Sequence, residues 1–463
     1  SSPFPNAALT ALDSVASSLL APSFWATNAL LDLRPTTLDH RHWFPRALTA
    51  LALTFALAAA LPLAALGLAL WLPLQSQRYP FVYQSTPQTL PATPWNARND
   101  GAAFTFATAN LCLLPSGLAK FTNLGRTPTR AKTIARFLLP ASPNSSTTTT
   151  TAVTAITETL RNDQTVPLTQ RFPPDVDFVC FQEVFDSKAT AALRRGLSGR
   201  FRNVLYDVGA AGWKGWKLKV FNSGLMVGSR YPVMAAKFHA FPNGAGEDSL
   251  AAKGVLVVQV LVGMRTEGRI VGYLGCTHLQ APAGDALVRN AQLSMGLRWM
   301  EEFQEQQKKD GDLVAFDVFC GDLNFDNTSP AEELNQHHEI FDVYQDPCRE
   351  APGRDQPWAI GTLLNPLKIY DEAVSTPENL KRTLSEPSGR RLFLAGPLLP
   401  NGEDLPVVPM SSWSGRRVDY VLHRRSPGSP LTEKAEVVFV TQLATLSDHL
   451  PVVLKLHVGH EGS

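Results

Sequence analysis

Residues 314–326 read VAFDVFCGDLNFD, an apolar run that ends at a glycine and a group of polar side chains. A short apolar run bounded by glycine is typical of a buried strand. Asp322 and Asn324 follow this run directly. Because loops at the ends of strands usually carry the active site of an open sheet, the stretch predicts a buried strand with a functional site at its end.

Similar apolar runs, broken by turns, continue along the chain from residue 104. They predict eleven strands, with helical patterns at 284–309 and 330–338 between some of them. Many strands with few helices favour a two-sheet α/β sandwich over a strictly parallel βαβ fold. The predicted strands are 104–111, 177–181, 204–207, 223–229, 237–241, 254–262, 270–277, 314–320, 418–422, 437–440 and 451–456.

Polar side chains occur at six of the predicted strand ends. Each alone is typical of a cap or a turn, but six together indicate a shared site. Carboxylate and amide oxygens favour Mg2+ or Mn2+ over zinc. A metal beside neutral donors and a His/Asp pair suits attack of water on a phosphodiester. The residues are Asn110, Glu183, His278, Asp322 with Asn324, Asp419, and Asp448 with His449.

Charge is balanced overall but unevenly distributed. The 463 residues contain 42 Lys+Arg and 41 Asp+Glu, a net charge of +1, which argues against nucleic acid as a partner. Charged residues make up 18%, and residues 1–77 contain only six of them. We therefore expect a membrane-associated region at 1–77 and a soluble enzyme after it.

Two hydrophobic segments lie in this region. Segment 47–74 contains no charged residue, and it is long enough to cross the roughly 30 Å of bilayer hydrocarbon. Pro62 lies in its middle, so the segment either spans the membrane or re-enters it. Segment 8–33 has leucines at helical spacing with polar interruptions, which predicts an amphipathic helix in the interface. A buried helix of a soluble domain is the alternative for the longer segment.

Basic residues flank both segments. Arg34, Arg41 and Arg46 favour a cytosolic position for these flanks and for the catalytic domain. The same residues are expected to bind anionic phospholipids as activators, each contributing about 1 kcal/mol. Further along, we expect a juxtamembrane linker at 78–100 and a catalytic domain at 101–458. Its Ser/Thr-rich stretch at 141–170 is typical of a disordered insertion.

The five cysteines are an odd number without metal-type spacing, and they predict reduced, buried thiols in a reducing compartment.

The chain resembles the endonuclease/exonuclease/phosphatase superfamily typified by deoxyribonuclease I, and within it the Mg2+-dependent neutral sphingomyelinases. The resemblance implies a deoxyribonuclease I-like two-sheet sandwich. It rests on Phe181-Gln182-Glu183-Val184-Phe185-Asp186, Gly321-Asp322-Leu323-Asn324-Phe325-Asp326, Asp346-Pro347-Cys348-Arg349, Pro357-Trp358-Ala359-Ile360-Gly361-Thr362 and Ser447-Asp448-His449-Leu450-Pro451.

The start of the chain, Pro3-Phe4-Pro5-Asn6, and the two hydrophobic segments are similar to the membrane-embedded branch of that family. The short insertion is closest to its smaller, mitochondria-associated member. This resemblance implies a mitochondria-associated or endoplasmic reticulum membrane, with Golgi or plasma membrane as alternatives. A homo-oligomer is also compatible with it.

The resemblance also implies roles for the polar residues. Glu183 would bind Mg2+, with Asn110 beside it and Asp448 near the metal. Asn324 and His278 would hydrogen-bond the phosphoryl oxygens. Asp322 or His449 would be the general base, and the sequence leaves that choice open. Asp419 would hold His449.

Two further segments of the sequence suggest specific roles. Asp248 and Lys253 match a segment that the family is expected to use as a switch, and an ordinary solvated surface pair is the alternative. Residues 212–219 read GWKGWKLK and interleave aromatic residues with cations, which indicates either a contact with the lipid interface or a buried hairpin.

The expected reaction is hydrolysis of sphingomyelin to ceramide and phosphocholine. A phosphoinositide phosphatase or another phospholipase C-type phosphodiesterase is the alternative. A nuclease is disfavoured by the charge balance, and a catalytically silent scaffold is disfavoured by the complete set of site residues.

Overall fold

The computed structural model describes residues 2–39, 43–86, 102–138, 165–214, 217–266, 268–399, 403, 413–424 and 432–458. The described residues contain eighteen strands, β1 to β18 in chain order. Strands β1 to β18 are Val82–Ser85, Ala102–Asn110, Leu168–Thr169, Phe178–Gln182, Asn203–Tyr206, Gly212–Lys214, Lys217–Lys219, Met226–Ser229, Val233–Ala240, Gly254–Arg265, Gly268–His278, Leu313–Asp322, Tyr344–Gln345, Arg349–Ala351, Arg354–Asp355, Asp419–Arg424, Thr432–Val440 and Val452–Val458.

Two sheets form the centre of the molecule. The larger has eight strands in the order β1-β5-β8-β4-β2-β18-β17-β3, and the smaller has six in the order β13-β16-β12-β11-β10-β9. Both mix parallel with antiparallel pairs, since β2 runs parallel to β4 and β11 parallel to β12. The two-sheet α/β sandwich is thereby confirmed, and each of the eleven predicted strands corresponds to an observed one.

Apolar side chains fill the space between the sheets. Phe106 and Phe178 of the large sheet stack on each other, and both meet Phe316 of the small sheet edge-on. Aromatic residues bury large apolar areas and favour such edge-to-face geometry. This core fixes the two sheets against each other and so fixes the relative position of their strand ends.

Helices surround the sandwich, and six of those in the described residues were not predicted: α3 (Ser116–Ala119), α4 (Thr127–Phe137), α5 (Ser187–Leu197), α8 (Ile340–Val343), α9 (Pro377–Ser385) and α10 (Pro387–Phe393). Helices α4 and α5 bury residues at helical spacing, but many of these are Ala, Gly or Thr, and the two helices cross where Gly196 meets Ala135. Small residues give a weak apolar signal in the sequence, although their spacing is helical. Helices α1 to α10 are Ala7–Asp32, Trp43–Gln75, Ser116–Ala119, Thr127–Phe137, Ser187–Leu197, Ala286–Gln307, Glu333–Gln336, Ile340–Val343, Pro377–Ser385 and Pro387–Phe393.

Helices α1 and α2, the N-terminal helix pair, lie antiparallel. Near one end the Gln75 side chain donates to Asp13, and further along Leu20 packs on Gly67. Helix α2 continues through Pro62 and Pro73. In the described part of the chain, these two helices are long and apolar enough to cross a membrane. The helical nature of both hydrophobic segments is confirmed, and their depth in the bilayer stays a prediction.

The helix pair rests against the sandwich. At one end the Gly117 amide donates to the Asn28 side chain at 2.8 Å, and at the other end Arg78 forms an ion pair with Asp207. The sandwich also takes its edge strand β1 from the predicted linker 78–100. Of that linker, residues 87–100 lie outside the described residues, as do residues 141–164 of the predicted insertion.

The five cysteines are free and buried, which confirms their predicted burial. The reduced state of the thiols stays a prediction.

Candidate active site

The strand ends singled out in the sequence converge at one edge of the sandwich. In the small sheet, His278 pairs in register with Asp322, and Asp322 pairs with Asp419. In the large sheet, Asn110 ends β2 and lies in register with Gln182, the residue before Glu183. Three neighbouring strands of one sheet therefore face two strands of the other across the site.

Asn110 joins the two sheets. Its Nδ2 donates to Glu183 Oε1 at 3.0 Å and to Asp322 Oδ2 at 2.9 Å. Its Oδ1 accepts the Cys112 amide at 3.0 Å. The amide nitrogen therefore faces the two carboxylates, and the side chain holds both of them in position.

Carboxylates are crowded in the centre of the site. Burial, with the nearby charge of Asp448, raises the pKa of Glu183 to about 7. Burial also raises the pKa of Asp322 to about 6. Asp448 is buried, and its Oδ1 has no hydrogen-bond partner among the described residues. Buried carboxylates with raised pKa values are stabilised by a cation, and their oxygens suit a hard divalent one.

The two histidines have opposite electrostatic environments. Burial lowers the pKa of His278 well below 6.5, and the adjacent Lys253 lowers it further. Burial also acts to lower the pKa of His449, but Asp419, Asp322 and Asp448 outweigh it and raise that pKa well above 6.5. His449 Nδ1 donates to Asp419 Oδ2 at 2.8 Å. His278 is therefore a neutral group and His449 a cationic one.

Lys253 connects the predicted switch to this histidine. Its Nζ donates to Asp248 Oδ2 at 2.8 Å, to the Leu279 carbonyl at 2.9 Å and to His278 Nε2 at 3.2 Å. The Leu279 carbonyl also accepts from Asn324 Nδ2 at 3.0 Å. Both predicted switch residues thus lie at the edge of the site.

Two groups of side chains could hold a metal. Ligand atoms of Asp322, Asp419 and His449 lie within 4.8 Å of one another. However, His449 already shares a proton with Asp419, so this group serves better as a proton-transfer unit. The negative charges of Glu183 and Asp448 repel each other, and neither carboxylate shares a proton with a histidine in this way. These two residues therefore fit a divalent cation better.

Sequence reasoning gave no role to Thr362, which the structure places behind this proton-transfer unit. Its Oγ1 accepts the amides of Val418 at 3.0 Å and Asp419 at 3.1 Å. Its carbonyl accepts the Leu450 amide at 2.8 Å, one residue after His449. One buried threonine thus fixes the two segments that carry Asp419 and His449. Its place in the quoted PWAIGT motif was the available signal.

The remaining predicted residues lie away from the site's centre. Arg34 is on the flank of the helix pair, with its guanidinium 4.4 Å from the Phe121 ring centroid. Arg46 is in α2, and Arg41 lies outside the described residues. Trp213 is exposed on the β6–β7 hairpin, while Trp216 lies outside the described residues. These five positions keep their predicted lipid contacts as hypotheses.

Comparison with known proteins agrees with this architecture. Residues 95–449 match the model of the Endonuclease/Exonuclease/phosphatase family. Sphingomyelin phosphodiesterase 5 of Danio rerio is 39% identical over 99% of this chain and 98% of its own length. The mouse protein of the same name is 42% identical over 99% of this chain and 94% of its own length. The chain belongs to the endonuclease/exonuclease/phosphatase family and, within it, to the sphingomyelin phosphodiesterases.

The similar solved structures are more distant. Sphingomyelinase C from Streptomyces griseocarneus is 17% identical, with a TM-score of 0.42 over 76% of this chain and 99% of that one. A Staphylococcus aureus beta toxin with bound magnesium ions is 16% identical, with a TM-score of 0.43 over 76% and 99% of the two chains. The predicted family membership is confirmed by the family model and the full-length relatives.

Proposed function

We propose that this chain is a membrane-associated, divalent-metal-dependent phosphodiesterase that hydrolyses sphingomyelin to ceramide and phosphocholine. A neutral histidine, a cationic His/Asp pair and a group of crowded carboxylates meet at one edge of the sandwich, and this arrangement supports the proposal. Relatives named sphingomyelin phosphodiesterase, 39% and 42% identical across nearly the whole chain, support the choice of substrate.

Glu183 and Asp448 would hold the metal, for which we propose Mg2+, with Mn2+ as the nearest substitute. When bound, it polarises a phosphoryl oxygen and stabilises the charge that develops there. Asn110 positions Glu183 for this task through its 3.0 Å hydrogen bond.

Proton transfer would use the residues around Asp322. A carboxylate with a pKa of about 6 accepts a proton from water near neutral pH, so Asp322 suits the general base. The oxygen of that water bonds to phosphorus while the bond between phosphorus and the ceramide oxygen breaks. His449, kept protonated by Asp419, gives its proton to the departing alkoxide.

Two neutral donors would stabilise the phosphoryl group. His278 stays uncharged, and its Nε2 faces the site, 3.7 Å from Asp322 Oδ2 and 3.9 Å from Glu183 Oε1. It would donate from Nε2 to a phosphoryl oxygen once Lys253, 3.2 Å away, no longer occupies that nitrogen. Asn324 lies beside it in a left-handed backbone conformation, with φ of 55°. Preorganised donors of this kind lower the barrier because they need no reorganisation during the reaction.

The N-terminal helix pair supports a membrane location for the enzyme. Its exposed apolar side chains would keep the site next to a substrate that stays in the bilayer. Arg34 and Arg46, with Arg41, would bind anionic phospholipids as activators. We propose that the catalytic sandwich faces the cytosol at a mitochondria-associated or endoplasmic reticulum membrane.

Hydrolysis of a substrate panel tests the proposal. Purified full-length protein would be assayed on sphingomyelin, phosphatidylcholine, a phosphoinositide and DNA, each with Mg2+ or with EDTA. We expect Mg2+-dependent release of phosphocholine from sphingomyelin. Preferential release of inorganic phosphate from the phosphoinositide would favour the phosphatase alternative, and metal-independent turnover would contradict the proposed mechanism.

A further inference from the structure

Three exposed apolar residues lie beside the candidate active site on segments that are bonded to one another, although they come from distant parts of the chain. Leu38 follows helix α1 and is 59% exposed, Phe121 follows α3 and is 57% exposed, and Leu367 lies in the Pro366–Lys368 turn and is 73% exposed. We call these three residues the rim patch. Scattered single apolar residues are ordinary on a surface, so their convergence needs an explanation.

Asn123 joins the three segments that carry the rim patch. Its Oδ1 accepts the Thr37 amide at 2.8 Å, and its Nδ2 donates to Thr37 Oγ1 at 2.9 Å and to the Pro366 carbonyl at 2.7 Å. Asn123 itself directly follows the turn that carries Phe121. One buried polar side chain therefore holds together the three segments that carry these exposed apolar residues.

Short connections run from the rim patch to the site. Thr122, next to Phe121, contacts the Cys112 thiol at 3.2 Å, and the Cys112 amide donates to Asn110. On the other side, the Leu364 amide donates to the Asp448 carbonyl at 2.8 Å, three residues before Leu367. The patch thus lies at the rim of the site, with its supporting loops bonded to the residues proposed to hold metal.

The rim patch also lies next to the N-terminal helix pair. Leu38 follows α1, and the exposed Phe44 lies at the start of α2. Arg34 stacks on Phe121, and Lys120 pairs with Asp32 and Asp39, so the acidic groups here are matched by cations. Apolar residues mixed with Arg and Lys fit the boundary between lipid headgroups and acyl chains.

We propose that the rim patch inserts into the lipid interface and orients the catalytic site toward the bilayer. The helix pair, which is bonded to the sandwich at both ends, would hold the sandwich near the membrane. A second contact at the rim adds to this attachment and places the site over its lipid substrate. This role builds on the proposed function, but lipid contact can be measured without any hydrolysis.

Fluorescent labelling at Leu367 tests the insertion directly. Because the native cysteines are all buried, a thiol-reactive environment-sensitive dye would label Leu367→Cys selectively. The matched control is Met264→Cys, at an exposed position in β10. Met264 pairs with Arg269 at the far end of β11, roughly 30 Å from His278 at 3.3 Å per residue. Full-length protein would be reconstituted with vesicles of sphingomyelin, phosphatidylcholine and phosphatidylserine.

Nitroxide-labelled lipids should quench the dye at 367 about threefold more strongly than the dye at 264, since interfacial residues sit about 5–10 Å deep. Equal quenching at both positions would overturn the proposal. So would a blue shift at 367 that needs no vesicles and grows with protein concentration, because that result indicates contact with a second copy.

The double variant Phe121→Ser, Leu367→Ser gives a second measurement. Loss of two apolar contacts should lower turnover of vesicle sphingomyelin about tenfold and leave turnover of detergent-dispersed sphingomyelin unchanged. An equal fall in both assays would contradict a role in membrane orientation. If the dye at 367 contacts lipid but wild type hydrolyses no sphingomyelin, the proposed function fails and the rim patch stands.

Discussion

The N-terminal helix pair and the catalytic sandwich use the same apolar residue types in opposite ways. Phe55 in α2 is 69% exposed, whereas Phe319 in β12 is 0% exposed. In the sandwich, apolar side chains build a core, and we propose that polar side chains at strand ends carry the chemistry. In the helix pair, many apolar side chains face outward, and we propose that they hold the enzyme at the membrane. On this account, apolar surface is the functional surface of one region and polar surface that of the other.

The same substitution in the two regions should have very different effects. Phe319→Asp should prevent folding, because it opens a cavity and buries an unpaired carboxylate, together costing more than about 5 kcal/mol. Phe55→Asp should leave the fold intact and weaken membrane partition by about 2.5–3.5 kcal/mol. Circular dichroism and vesicle flotation would measure the two effects. Unfolding of Phe55→Asp would show that α2 is a buried helix of a soluble domain.

Within the sandwich, removal of the cationic histidine should abolish turnover without releasing the enzyme from membranes. His449→Gln should lower kcat about 1,000-fold because it removes both proton donor and charge. The control is His337→Gln, at an exposed position, which should behave like wild type. Near-normal kcat in His449→Gln would exclude this residue from the proton transfer.

Metal affinity should depend on pH through Glu183. Its pKa of about 7 exceeds the usual 4.5, so metal binding releases a proton below pH 7 and should weaken about tenfold per pH unit there. Without metal, the raised pKa of Glu183 contributes to the free energy of unfolding. This contribution is complete below about pH 4.5 and is lost as the pH rises through about 7. Thermal unfolding in EDTA and in Mg2+ at pH 6 and pH 8 would measure this. A Mg2+ stabilisation that does not grow with pH would contradict the assignment of Glu183.

Thr362 should act on the reaction through Asp419 and His449. Thr362→Val removes an acceptor from two buried amides and should lower kcat about tenfold with little change in KM. The acid and base limbs of the pH profile should also shift. Thr362→Ser keeps the hydroxyl and should restore both properties. Equal losses in the serine and valine variants would indicate a packing role instead.

The smallest effect is expected at the β6–β7 hairpin. Trp213→Ala should lower vesicle binding about twofold if this exposed side chain contacts the interface. Met264→Ala, on a different exposed surface, is the control. Unchanged vesicle binding in Trp213→Ala would remove the hairpin from the membrane-contacting surface.

Sequence patterns predicted the long strands and the site because both depend on local signals. Apolar runs define β11 and β12, and polar residues directly follow or end them. The two- and three-residue strands, such as β13, are too short to show alternation. Thr362 could not be assigned a role, because a threonine that accepts amides from another segment looks like a turn residue in sequence. Packing of Gly117 on the helix pair likewise depends on tertiary contacts alone.

Turnover in water enriched in heavy oxygen tests the central claim most directly. Sphingomyelin vesicles would be hydrolysed in Mg2+ and in EDTA, and both products analysed by mass spectrometry. The account predicts that heavy oxygen enters phosphocholine and not ceramide, only with the metal present, because water attacks phosphorus. Heavy oxygen in ceramide, or equal turnover in EDTA, would contradict it.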